Sequence, residues 1–174
     1  EAITKIEGVA NKIAPKSKEH KYKGLFISRD FDLYEGSDNY QLEREKLDEK
    51  RSSAITELLN SSGLDAVINF SSEVESPFAV GQALGLNKGS EIDSNLLPVM
   101  LLSEDQTKFI NSFVLERFGS FGWEWVDSLD RKSWTIDENR QFLIYLPFTQ
   151  GVWDRASEWL EEEEDSFWEN ASIN

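Results

Sequence analysis

No cysteine occurs among the 174 residues, so disulfides, thiol nucleophiles and cysteine-ligated zinc or iron–sulfur centres are excluded. Histidine is nearly absent too. The single one, His20, stands in a polar, basic stretch and cannot supply the several imidazoles that zinc sites ordinarily require. No serine sits in a G-x-S-x-G elbow that would give His20 a nucleophile to activate. Gly81 and Gly85 lie four apart, but no Lys-Ser/Thr end completes a phosphate loop and the spacing is not that of a dinucleotide fingerprint. Their pattern predicts close helix packing. No apolar run approaches the roughly 18 to 20 residues that span a bilayer, and no basic-then-apolar leader opens the chain. These absences lead us to expect a soluble, cytoplasmic protein that is not an enzyme, with no catalytic residues, cofactor, metal or membrane partner.

Basic residues are also scarce: 18 Lys and Arg stand against 33 Asp and Glu, giving a net charge of −15. A net-acidic surface repels phosphate backbones, which argues against nucleic acid as a partner. The imbalance is uneven. Residues 1–29 carry seven basic against three acidic residues, and the remainder eleven against thirty. Three Asn-x-Ser triplets, at Asn60, Asn69 and Asn170, are short enough to be accidental. The chain begins at Glu1 and its last residues follow a Trp-rich helical pattern without a stop, so both ends read as cut from a longer chain.

What is present is helical patterning. Ile3, Ile6, Val9, Ala10 and Ile13 recur at helical spacing over Ala2 to Ala14, and Pro15 ends the run. Gly24 to Ile27 is a short apolar anchor, strand-like but with no obvious partner strand. Arg29 to Asn39 reads as a loop tacked to the core by Phe31, Leu33 and Tyr34. Tyr40 to Asn60 is the clearest helix, with Tyr40, Leu47 and Ala54 on a seven-residue seam beside Ile55, Leu58 and Leu59. Glu43, Arg44, Glu45, Lys46, Asp48, Glu49 and Lys50 form its charged face, and Gly63 suits a left-handed stop. Leu64 to Val74 places Leu64, Val67, Ile68 and Val74 near one helical face, although the run Ala66 to Phe70 is also strand-like.

Ser76-Pro77 is a helix start, a capping hydroxyl before a proline at the first helical position, for Phe78 to Leu84. Another helix covers Ile92 to Leu102, with Pro98 in its first turn or kinking it. Ser103-Glu104-Asp105-Gln106 and Thr135-Ile136-Asp137-Glu138 both match a capping box. The first opens a helix with Phe109, Ile110, Phe113, Val114 and Arg117 on one face. The second opens the run through Phe142 to Leu146, stopped by Pro147. Thr149 then caps a last stretch carrying Val152, Trp153, Ala156, Trp159, Leu160, Phe167 and Trp168. No hairpin of strands and no βαβ alternation appears. The pattern predicts one all-α domain over residues 1–174, built of antiparallel helical hairpins stacked as an α-solenoid-like or irregular helical repeat. At an offset of 33 residues, Phe109, Ile110, Phe113 and Val126 align with Phe142, Leu143, Leu146 and Trp159, a faint trace of such a repeat.

Two acidic features invite a functional reading. Asp30 and Asp32 lack the ligand spacing of a calcium loop and read as an exposed loop. Glu161-Glu162-Glu163-Glu164-Asp165 spreads around all sides of a helix, so its role, if any, is attraction of a basic partner. Of the six tryptophans, Trp153 and Trp159 fit core positions. Trp123 and Trp125 share a Gly-aromatic segment with Phe121, where alternate residues face one way if the backbone is extended. Phe121, Trp123, Trp125, Glu161, Glu162, Glu163 and Glu164 are therefore the candidate partner surface.

Two stretches carry a resemblance. Leu25-Phe26 through Leu33-Tyr34-Glu35-Gly36, the charged helix ending Gly63-Leu64, and Val74-Glu75-Ser76-Pro77 with Val80-Gly81-Gln82-Ala83-Leu84 form the first. Phe142-Leu143 through Leu146-Pro147-Phe148-Thr149, then Trp153 and Phe167-Trp168, form the second. Both resemble segments of large uncharacterised bacterial multidomain proteins with long α-helical repeat regions. The resemblance implies a scaffolding or protein-interaction segment that contacts a partner or neighbouring domains. Its alternative is a regulatory or ligand-sensing accessory domain of an NTPase or signalling protein. The motifs are packing signatures, so no catalytic residue carries over.

Overall fold

The computed structural model describes residues 18–171 apart from 35, 37, 38 and 88. Among the described residues every regular element is helical. The helix expected over Ala2 to Ala14 lies outside them. Contacts group the chain into two compact units, residues 1–75 and residues 76–174.

In the first unit, α1 (Lys18–Tyr22) runs into a 3-10 turn (Lys23–Leu25), followed by a second 3-10 turn (Asp30–Leu33), α2 (Tyr40–Ser62) and α3 (Leu64–Ser72). The apolar anchor is thus no strand: Gly24 and Leu25 end the first 3-10 turn, and Phe26 caps it. Its Phe26 is fully buried and sits edge-to-face on Phe70, with ring centroids 5.3 Å apart. Burying such a side chain contributes about 2 to 3 kcal/mol. Leu47, Ala54, Ile55 and Leu58 of α2 complete the core with Val67.

Three expectations are corrected here. Phe31 does not tack the loop to the core: it is 68% exposed and joins Tyr34 and Tyr40 in a surface triangle of rings 5.4 to 5.6 Å apart. Tyr40 therefore leaves the α2 seam. Glu43 belongs to no solvated face, being buried and ion-paired with Lys46 at 3.0 Å.

Arg51 is also buried, because the turns laid over α2 need its donors. Its Nε donates to the Leu25 carbonyl at 2.8 Å and its Nη2 to Asp30 at 2.7 Å. Gly63 ends α2 at φ 83, ψ 179, a positive φ but not the left-handed helical stop, and the same residue starts α3.

The second unit holds α4 (Pro77–Gly85), α5 (Ser90–Met100), α6 (Thr107–Ser128), α7 (Ile136–Tyr145), α8 (Gln150–Leu160) and α9 (Glu164–Asn170). Ser76 caps α4 by accepting from the Ala79 N–H at 3.3 Å, with Pro77 in the first turn. Gly81 and Gly85 let α4 approach α6: a Cβ on Gly81 would stand 2.0 Å from the Phe109 carbonyl oxygen and 2.2 Å from Ser112 Oγ. Phe109, Ile110, Phe113 and Val114 are fully buried on the facing side of α6, and Arg117 joins them at 2% exposure.

The Thr135 capping box forms with both reciprocal bonds. The Ser103 box does not. Glu104–Gln106 instead make a 3-10 turn after Ser103, in which the Gln106 N–H donates to the Ser103 carbonyl at 3.2 Å and no side chain caps. Pro98 lies in the last turn of α5, where few following residues remain to be disrupted, rather than in the first. Thr149 starts α8 through its carbonyl, which accepts from Val152 and Trp153, and its hydroxyl does not cap. The Gly-aromatic stretch is helical too. It continues α6, broken only at Gly122 with φ 60 and ψ −151.

Candidate functional site

α5 and α6 together enclose the feature that best fits a site. α6 buries one stripe, Phe109, Phe113 and Arg117, and Arg117 cannot enter an apolar interior uncompensated. Asp93 of α5 supplies the counter-charge: Arg117 Nε donates to Asp93 Oδ1 at 3.0 Å. The other carboxylate oxygen accepts from the Trp125 indole N–H, also at 3.0 Å. Arg117 further lies over the rings of Phe113 and Phe121, 5.2 and 5.6 Å from their centroids. Burial pushes the Asp93 carboxyl above the usual carboxylate range, against the pull of the Arg117 charge and the bonds from Trp125 and Arg117.

An open cleft of about 520 Å³ lies over this arrangement, lined by Gly89, Asp93, Arg117, Phe121, Glu124 and Trp125, with the hydroxyl residues Ser120 and Ser128. Asp93 and Arg117 neutralise each other, so the exposed Glu124 gives the lining a net charge of −1. Apolar rings beside one acidic group suit a side chain with an apolar body and a cationic tip.

Of the sequence candidates, Phe121 and Trp125 line this cleft, Phe121 being 37% and Trp125 7% exposed. Trp123 goes elsewhere, because the segment is helical and neighbours two apart diverge. It packs on the bare Gly151 backbone, where a Cβ would stand 2.5 Å from its ring. Arg155 covers it 3.9 Å from the centroid while pairing with Asp127 at 2.6 Å. Glu161, Glu162 and Glu163 form an exposed 3-10 turn after α8, with Glu161 at φ 47. Glu164 starts α9 and accepts from Ser157 Oγ and Trp168 Nε1, each at 2.8 Å. Trp153 and Trp159 are half-buried. Trp159 carries Arg131 3.2 Å over its centroid, and burial holds the Arg131 pKa below its ordinary value.

Sequence reasoning missed Asp93, Arg117 as an ionic group, and Glu124. Two signals were there to find: a single arginine on an otherwise apolar helix face, and an acidic residue in the first turn of the preceding helix. Asp30 is partly exposed and ion-paired with Arg51 at 2.7 Å. Among the described residues no cluster of three or more acidic or histidine side chains is placed to hold a metal ion, and no helix is long and apolar enough to cross a membrane. A smaller cleft of about 320 Å³ lies between Asn111 and Leu115 of α6 and the segment from Leu143 to Phe148. There Asn111 Oδ1 is buried without a hydrogen-bond partner, as Arg131 Nε and Trp153 Nε1 are in their own places. Comparison with protein-family models, with curated proteins and with solved structures finds no match to this chain.

Proposed function

We propose that the chain is a non-catalytic helical module that binds a protein partner, receiving a basic side chain of that partner in the cleft between α5 and α6. One observation carries the reading. The Asp93–Arg117 pair cancels its own charge and leaves Glu124 beside the rings of Phe121 and Trp125. Long-range attraction of a basic partner follows from the net charge of −15. The setting we propose is a helical-repeat scaffold within a larger bacterial protein, with exposed Glu161, Glu162 and Glu163 as a further acidic contact. Cleft volume favours one second reading, a ligand-sensing accessory domain, since small-molecule pockets span about 300 to 1,000 Å³.

A photo-crosslinking residue placed at Phe121 tests the proposal in expressing cells, with the exposed Ile136 as the control position. The expected result is a discrete protein adduct from position 121 alone, lost when Glu124→Lys is added. Equal adducts from both positions, or an adduct indifferent to Glu124→Lys, would sink it. Absence of any protein adduct, together with protection of position 121 by a small cationic compound, would move the assignment to the second reading.

A further inference from the structure

We propose that Asp93 is the strut that holds α6 broken, and that the angle of this break sets the width of the cleft. The donors it gathers stand on opposite sides of Gly122: Arg117 five residues before it and Trp125 three residues after it. Those two positions are about 12 Å apart along an unbroken helix. Each is tied to a different oxygen of one carboxylate, so neither half of α6 can turn without releasing or dragging the other. Asp93 itself is 5% exposed and anchored on α5.

Gly122 is the complementary half of the device. Its φ of 60 and ψ of −151 are open to glycine and strained for any residue with a Cβ. A Cβ there would meet no atom within 4 Å, so space is not what demands glycine. The break therefore rests on a permissive backbone and a strut, and α6 is regular helix on either side. Phe121 and Trp125 flank the break and both line the cleft, so a change of angle moves two of its walls at once. Burial disfavours the charged form of Asp93, so the strut is held at a cost that a competing partner for Arg117 or Asp93 could relieve. The link to cleft width rests on the cleft being the functional surface; the strut itself does not.

Paired spin labels on Lys108→Cys and Ser128→Cys test this on the free chain, which has no native cysteine to interfere. Both positions are exposed, one near each end of α6. The parent should give one narrow distance distribution. Asp93→Ala should broaden it, and Asp93→Ala with Gly122→Ala should lengthen it toward the roughly 30 Å rise of twenty continuous helical residues. A distribution for Asp93→Ala that superimposes on the parent overturns the proposal. Circular dichroism checks folding. If Asp93→Ala does not fold, Trp125→Phe removes only the indole donor: broadening supports the strut, and an unchanged distance refutes it. No partner is present in this measurement, so its failure is distinct from failure of the binding reading.

Discussion

Replacing Gly81 with alanine tests the packing at the centre of the second unit. The new Cβ would lie 2.0 Å from the Phe109 carbonyl oxygen, 2.2 Å from Ser112 Oγ and 2.9 Å from the Phe109 carbonyl carbon. Two of these are backbone atoms of α6, which no rotamer change can remove. Ordinary carbon–oxygen contacts need well over an ångström more than that, so α4 and α6 must separate. Overpacking of this kind costs about 3 kcal/mol. Alanine returns up to about 1 kcal/mol in helix propensity, leaving a net destabilisation of about 2 kcal/mol. Gly119→Ala is the matched control. It lies in α6 with nothing within 4 Å of its Cβ, so only the propensity gain remains. With a slope of about 2 kcal/mol per molar urea, Gly81→Ala should lower the unfolding midpoint of this unit by about 1 M. Gly119→Ala should raise it slightly. Urea unfolding followed by far-ultraviolet circular dichroism reads both. If Gly81→Ala is neutral or stabilising, α4 and α6 are not in the contact described.

Arg117→Met should cost about 3 to 5 kcal/mol by stranding a buried carboxylate, while Asp93→Leu combined with Arg117→Met should recover most of that loss; urea midpoints of the three variants decide. Thr135→Ala should cost about 1 kcal/mol by removing a working cap, whereas Ser103→Ala, whose hydroxyl caps nothing, should stay within about 0.5 kcal/mol. Equal losses in those two melts would contradict the capping assignment.

Asp93 also predicts a pH dependence. Its carboxyl is raised in the fold above the ordinary 3.8, with Arg117 and Glu124 the charged groups beside it in the cleft. The stability it contributes is therefore complete below 3.8 and is lost as pH rises through the folded value. The stability of the parent relative to Asp93→Asn should fall across the pH interval just above 3.8, as unfolding at stepped pH would show. A difference that grows with pH would mean that the Arg117 charge, not burial, dominates.

Features carried by short-range rules were legible in the sequence. The Ser76-Pro77 start, the Thr135–Glu138 box and the buried stripe Phe109, Ile110, Phe113 and Val114 all depend on residues within a turn or two of one another. The Ser103 box failed although its residue types were right, because Ser103-Gln106 also fits a tight 3-10 turn and composition does not choose between the two. Buried charge was the larger omission. Periodicity assigns charged residues to water, yet Arg51 and Glu43 are buried because a distant carboxylate and carbonyl, or a neighbouring lysine, meet them. Arg117 was placed on the apolar face by its spacing, but the distant Asp93 that compensates it there was not legible. The Phe121–Trp125 segment split for a related reason. An extended reading put Trp123 and Trp125 on one face, whereas helical geometry sends one to Asp93 and the other to Arg155.

All six tryptophans lie in the second unit, while the first has only tyrosine and phenylalanine as aromatic residues. Nature has thereby labelled one unit for emission spectroscopy and left the other dark. Light absorbed by indole alone reports the second unit, and the helical dichroism signal reports both. Denaturation curves from the two signals that coincide would mean that the units melt as a single cooperative body. Curves that separate would give each unit its own stability from one sample, without cutting the chain.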